Sequence, residues 1–203
     1  MTPWRKELHK KLADVPFSGR VLDLGGDKRS EYQVFLKSAN VEVVNIAKDA
    51  QPDHTFDLEN TFPLPNGTYD FVMCMNILEH IYNTSHFLSE CRRVLKPGGT
   101  LVVAVPFIMQ VHPSPRDYFR FSKEALQQLM SIAGFRDVMI EAVGRGPFTA
   151  SAQITYNPLS KIPLANALNL LQAKILDSLL RLFDRKGTYS KERYPLGYLV
   201  VAK

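Results

Sequence analysis

The stretch Arg20-Val21-Leu22-Asp23-Leu24-Gly25-Gly26-Asp27 constrains this chain more than any other. Val21 to Leu24 is an apolar run holding a single acid, which reads as a strand buried on both faces, and such strands belong to parallel sheets covered by helices. Gly25-Gly26 then lets the backbone turn sharply and approach a ligand where a side chain would block it. In an open parallel sheet, ligands lie in the crevice beyond the carboxyl ends of the strands, and the loop after the first strand faces that crevice. One short stretch thus carries both an architecture and the place of a binding site.

The remaining chain repeats the theme. Trp4 to Leu12 reads as an amphipathic helix capping the sheet, followed by a turn at Pro16 to Gly19. After the first strand, Glu31 to Ser38 carries Tyr32, Phe35 and Leu36 at helical spacing, and Val41 to Ile46 is a second buried strand. Ala47 to Thr68 is polar and broken by Pro52, Pro63, Pro65 and Gly67, with only His54 to Phe56 extended enough for a brief strand. Tyr69 to Asn76 is a strong central strand. Thr84 or Ser85 caps a helix to Leu95 whose stripe is Phe87, Leu88, Cys91, Val94 and Leu95, and Lys96-Pro97-Gly98-Gly99 stops it. Thr100 to Val105 is the next strand, and Phe107 to Phe121 an irregular segment rich in proline, aromatic and charged residues. Ser122 or Lys123 opens a helix to Ala133, and Phe135 to Val143 is a further strand. Alternation of this kind calls for a doubly wound α/β domain. A leucine-rich stretch, Leu159 to Phe183, breaks the rhythm before a last strand, Tyr198 to Ala202, placed to pair antiparallel.

At 203 residues the chain suits one domain. Two cysteines, Cys74 and Cys91, are too few for a disulfide framework, and no metal-ligand cluster is visible, so a reduced, cytoplasmic protein is expected. The amino terminus lacks a signal-peptide core, and no apolar stretch reaches the roughly 18 residues of a spanning helix. The net charge of +5 gathers at Arg5, Lys6, Lys10 and Lys11 and again from Lys174 to Arg193. It reads as solvated helix faces, with an anionic surface as the alternative.

Four stretches, in order, carry a family resemblance: Val21-Leu22-Asp23-Leu24-Gly25, Tyr69-Asp70-Phe71-Val72, Asn76-Ile77-Leu78-Glu79-His80 and Arg93-Val94-Leu95-Lys96-Pro97-Gly98-Gly99. They resemble the class I S-adenosylmethionine-dependent methyltransferases, close to the small-molecule branch often called type 11. His112 to Ser122 further resembles a subgroup found with sugar- and lipid-modifying enzymes. The resemblance implies a Rossmann-like, mostly parallel seven-stranded sheet with its last strand antiparallel, and residues 147–194 as a helical insertion within one domain, 1–203. It implies S-adenosylmethionine as cofactor, a small-molecule acceptor and no nucleic-acid partner.

Carried onto this chain, the resemblance puts Asp23, Gly25 and Gly26 in the glycine loop under the methionyl and ribose parts of the cofactor. Asp27 and Arg29 stand where the family has further glycines. Asp27 therefore either crowds the methionyl part or bonds its ammonium, with Lys28 or Arg29 in reach of its carboxylate. The acid that accepts both ribose hydroxyls is replaced by Asn45, with Asp49 as a substitute from the loop. Losing such a charged contact costs about 1.5 to 3 kcal/mol, roughly tenfold to a hundredfold in affinity. Asp57 and Leu58 fall where the adenine is held, and Asn76 beside the methionyl end. Glu79 reads as a structural hydrogen-bonding group, and His80 faces either cofactor or interior. Within the acceptor segment His112 is the candidate general base and Asp117 the second, because an imidazole titrates near neutrality. Arg116, Tyr118 and Arg120 are placed to hold an anionic or sugar-like acceptor. Leu159 to Phe183 serves as packing, a lid, a homodimer surface or a peripheral membrane contact. The alternative is a binding or regulatory module with a degenerate site. A nicotinamide oxidoreductase is disfavoured by the glycine spacing.

Overall fold

The computed structural model describes residues 1–203. Six strands form one sheet: β1 (Gly19–Leu24), β2 (Ala39–Val44), β3 (Tyr69–Met75), β4 (Leu95–Pro106), β5 (Val138–Val143) and β6 (Gly197–Ala202), in the order β2-β1-β3-β4-β6-β5. The pairs β1–β2, β1–β3 and β3–β4 are parallel, and β6 runs antiparallel to both β4 and β5. The reversed last strand is as expected; the seventh strand is not formed. Where it was expected, His54 makes a single parallel bridge to Val44. Pro52 has no N–H to offer, and the Asp53 carboxylate takes the edge donor of Val43 at 2.8 Å, so no ladder extends along β2.

Alternate residues of the central strands feed two cores, as a sheet buried on both faces requires. Leu101, Val103 and Val105 of β4 pack with Phe87, Leu88, Cys91 and Val94 of α2 (Thr84–Val94) and with Leu126 and Met130 of α3 (Lys123–Ile132). Val102 and Ala104 face the opposite way, onto Trp4, Leu8 and Leu12 of α1 (Pro3–Leu12) and Ala150 of α4 (Pro147–Ser160). Ser122 caps α3 by accepting from the Ala125 N–H. The cap of α2 is Asn83 rather than Thr84 or Ser85, its side chain accepting from the His86 N–H.

Two further departures are local. The crossover expected at Glu31 to Ser38 is a 3₁₀ helix over Glu31–Leu36, burying only Leu36 fully. The leucine-rich stretch is divided by Pro163, which opens a separate helix, α5 (Pro163–Phe183), packed on α4. Gly146 gives α4 no side-chain cap, and the buried Asp177 of α5 supplies it from outside, accepting from the N–H groups of Phe148 at 3.0 Å and Thr149 at 2.9 Å. On its other side α5 exposes Leu164, Leu168, Leu171, Ile175, Leu179 and Leu182. No helix is long and apolar enough to cross a membrane.

Candidate active site

The strand order reverses between β1 and β3, and the crevice at such a point lies beyond the carboxyl ends of the strands. A cleft of about 1070 Å³ opens there. Its wall runs from Gly25, Asn45 and Ile46 past Phe56, Asp57 and Leu58 to Ile77, His80 and Tyr82, and ends at Arg116 and Tyr118. Gly25 sits at φ +73°, and a Cβ on it would lie 2.1 Å from Ile77 Cδ1, so only glycine lets the loop and the β3 end meet.

At the glycine-loop end the polar groups satisfy one another. Asn45 Nδ2 donates to the carbonyls of Gly25 at 3.3 Å and Gly26 at 2.7 Å, and its Oδ1 accepts from the Ala47 N–H. Asp27 is bound through both oxygens by the Arg29 guanidinium, at 3.0 and 2.7 Å, which lowers its pKa to about 2. Asp49 is exposed and lies 3.6 Å from the same guanidinium. Asp23 is buried beneath Gly26, its Oδ2 accepting from Tyr32 and Gln33 while its Oδ1 has no partner, and burial raises its pKa to about 7.

Of the ten residues expected around a cofactor, Gly25, Asn45, Asp57, Leu58 and His80 line the cleft. The side chains of Asp23, Asp27 and Asp49 do not line it, nor does Asn76, whose Oδ1 accepts from the Trp4 indole at 2.7 Å. That bond fastens α1 to the β3 end, where Asn76 stands at φ +57°. Gly26 is fully packed over the Asp23 carboxylate, 2.1 Å from where its Cβ would be.

Opposite, the segment after β4 folds back over β3. The Glu79 carbonyl accepts from the N–H groups of Tyr118 at 2.9 Å and Phe119 at 3.3 Å, and Asp117 ties the loop together by accepting from the His112 N–H and pairing with Arg120. The Arg120 guanidinium holds Asp117 well below the usual carboxylate range. Asp117 and Arg120 thus serve each other and the loop, whereas Arg116 and Tyr118 reach the cleft wall.

Sequence reasoning missed what this fold-back assembles. Glu79 is fully buried, yet neither carboxylate oxygen has a hydrogen-bond partner, contrary to the expected structural bonding role. Burial pushes its pKa up to about 8. The Nε2 atoms of His80 and His112 lie 3.9 and 3.7 Å from its Oε1. His80 Nδ1 pairs with the Arg116 carbonyl and His112 Nδ1 with the Gln110 carbonyl at 3.0 Å, with Asp117 Oδ2 3.3 Å from the latter, so each Nδ1 is a donor and, in the neutral imidazole, Nε2 carries the lone pair. Burial also lowers the His80 pKa. The Leu-Glu-His run was the only sequence signal, since His112 comes from a different segment.

Residues 18–103 match the family model described as "Methyltransferase domain". A protein of Mycolicibacterium smegmatis named as a probable S-adenosylmethionine-dependent methyltransferase is 34% identical over 79 residues, covering 36% of this chain and 31% of that protein. A ubiquinone biosynthesis O-methyltransferase of Paraburkholderia xenovorans is 32% identical over 111 residues, covering 47% of this chain and 44% of its own. The chain thus spans less than half the length of these curated relatives. An S-adenosylmethionine-dependent methyltransferase structure from Archaeoglobus fulgidus superposes with a TM-score of 0.62 at 18% identity, covering 98% of this chain and 92% of the other. A phosphoethanolamine N-methyltransferase of Haemonchus contortus bound to S-adenosylmethionine superposes at 0.61, again at 18% identity, covering 98% of this chain and 52% of that one. At such identity these two establish the fold.

Proposed function

We propose that this chain, which carries a class I S-adenosylmethionine-dependent methyltransferase domain with its Rossmann-like fold, transfers a methyl group to a small-molecule acceptor, sugar- or lipid-linked. The observation carrying this reading is the cleft itself, which has Phe56, Asp57 and Leu58 on its wall and His80 farther along it, with the His112 ring beside that of His80, centroids 5.0 Å apart. The residues present fit the cofactor in kind. Ile46, Phe56 and Leu58 are apolar walls for a ring, and Asp57 is an exposed acceptor for its amino group. The ribose carboxylate is missing, so affinity falls by the tenfold to hundredfold argued from sequence.

When bound, S-adenosylmethionine supplies an electrophilic methyl group on a sulfonium. The protein then has three tasks: to hold the acceptor in line, to exclude water and to receive a proton from a hydroxyl. Tyr82, Tyr118 and Phe119 form an aromatic rim, with ring centroids 5.3 to 6.2 Å apart, suited to an acceptor's apolar face. Arg116, hydrogen-bonded to the Tyr118 hydroxyl at 3.1 Å, offers charge to an anionic group. His112, with Nδ1–H fixed on Gln110, receives the proton at Nε2. The exposed leucine stripe of α5 suits a lipid surface or a second copy of the chain.

A second reading, binding without turnover, is favoured by one observation: Asn45 is drawn into the glycine loop. Titration calorimetry with S-adenosylmethionine and its demethylated product, followed by mass spectrometry of metabolite and lipid extracts given labelled cofactor, separates the two. Methyl transfer predicts binding, a labelled product, about tenfold weaker cofactor binding in Asp57→Ala, and in His112→Ala unchanged binding with turnover about 10²-fold or more slower. Binding without label supports the second reading; no heat at millimolar cofactor ends both.

A further inference from the structure

We infer that Glu79, His80 and His112 form a binding site for a single divalent transition-metal cation at the acceptor end of the cleft. Four observations converge on it. The Glu79 carboxylate is fully buried with both oxygens lacking any hydrogen bond, an arrangement that ordinarily costs about 1–3 kcal/mol or more for a charged group. Its Oε1 faces two imidazole Nε2 atoms at 3.7 and 3.9 Å, and one donor atom from each residue lies within 4.8 Å of the others. Ligand arms of about 2.1 Å leave donors about 3 to 4 Å apart around a zinc-sized ion, so little movement closes the set. Finally, both Nδ1–H groups are fixed on backbone carbonyls, at Arg116 and Gln110, which orients each ring and makes Nε2 the nitrogen that the neutral imidazole presents to an ion.

The ligands select the cation. Two imidazoles and one carboxylate suit zinc, iron(II) or cobalt(II), whereas magnesium and calcium prefer oxygen shells. Three ligands also leave coordination positions open, and His80 lines the cleft while His112 is partly exposed, so an acceptor oxygen can reach the ion. The cation then holds that oxygen and favours its deprotonated form. Metal-bound, His112 has no Nε2 lone pair left for a proton, so this role replaces the general-base role given to His112 above; it rests on the methyl-transfer reading, whereas the binding itself does not.

The test therefore leaves the cofactor out. Chelator-treated protein is titrated with cobalt(II) while visible absorption is followed, and the unfolding midpoint is read with and without zinc. Expected are saturable absorption at one equivalent, displaced by zinc, and a raised midpoint. Glu79→Gln and His112→Ala should each weaken cobalt binding at least tenfold, with His86→Ala on α2 binding like the parent. His112 sits on a loop, so its variant remains informative if Glu79→Gln fails to fold. The inference is overturned if the parent shows no saturable absorption, or if a folded His112→Ala binds cobalt as the parent does. Slowed methyl transfer in His112→Ala with no metal bound by the parent makes His112 a base alone, which also overturns it. Failure of cofactor titration, by contrast, touches only the methyl-transfer reading.

Discussion

The two ends of the cleft treat their polar groups in opposite ways. At the glycine-loop end Asn45 bonds Gly25, Gly26 and Ala47, and Asp27 is clasped by Arg29, while Asp57 faces the cleft. At the acceptor end a buried carboxylate stands before two imidazole lone pairs with nothing between them. At the first end the polar groups satisfy one another; the second holds a buried carboxylate without a partner, which is costly. Under the proposed methyl transfer, the first end answers for the nucleoside and the second for a cation or proton.

The contrast can be broken from its glycine-loop side. The largest effect is expected at Asp23, whose pKa rises from 3.8 to about 7 through burial. A carboxyl with a raised folded-state pKa contributes stability that is complete below about pH 4 and is lost as pH climbs through about 7. At 1.36 kcal/mol per unit the ceiling is about 4 kcal/mol. Asp23→Asn should remove that slope, so denaturant unfolding of parent and variant from pH 4 to 8 should diverge with rising pH; parallel curves would refute the assignment.

Next comes Gly25→Ala. A Cβ 2.1 Å from Ile77 and a left-handed φ together should weaken cofactor binding about a hundredfold, about 2.7 kcal/mol, by calorimetry. Adding Ile77→Ala should restore part of it, because that removes the clash but leaves the φ penalty. The smallest effect sharpens the comparison most. Asn45→Asp turns a donor into an oxygen facing two carbonyls and should cost about 1–3 kcal/mol of unfolding free energy. Tighter cofactor binding with no loss of stability would instead mean that the loop is not held by this amide.

Much of the architecture is legible in the chain because the central strands are uninterrupted apolar runs between breakers. Val21 to Leu24 and Phe71 to Met75 admit few other readings. What escaped were segments decided by side-chain competition. Asp53 takes the donor that would have extended a seventh strand, and Asn83 outcompetes Thr84 one residue earlier for the cap. Gly25 was legible in the cleft from its place at the end of the first strand, whereas Asp57, Leu58 and His80 came from the family resemblance; all four line the cleft. Sequence also marks Asn45 as a missing carboxylate. That its amide bonds the loop carbonyls depends on the turn geometry and is invisible before folding. Glu79 escaped for a different reason: the absence of a partner is a property of three dimensions, and it needed the loop carrying His112 to fold back over β3.

The indole of Trp4 reaches across to Asn76 at the end of β3, and its backbone N–H bonds Gln153 of α4. The helix α1 is therefore a brace, tying the end of β3 to α4. A change in α1 that displaces Trp4 takes the indole donor from Asn76, whose left-handed backbone stands at the end of β3.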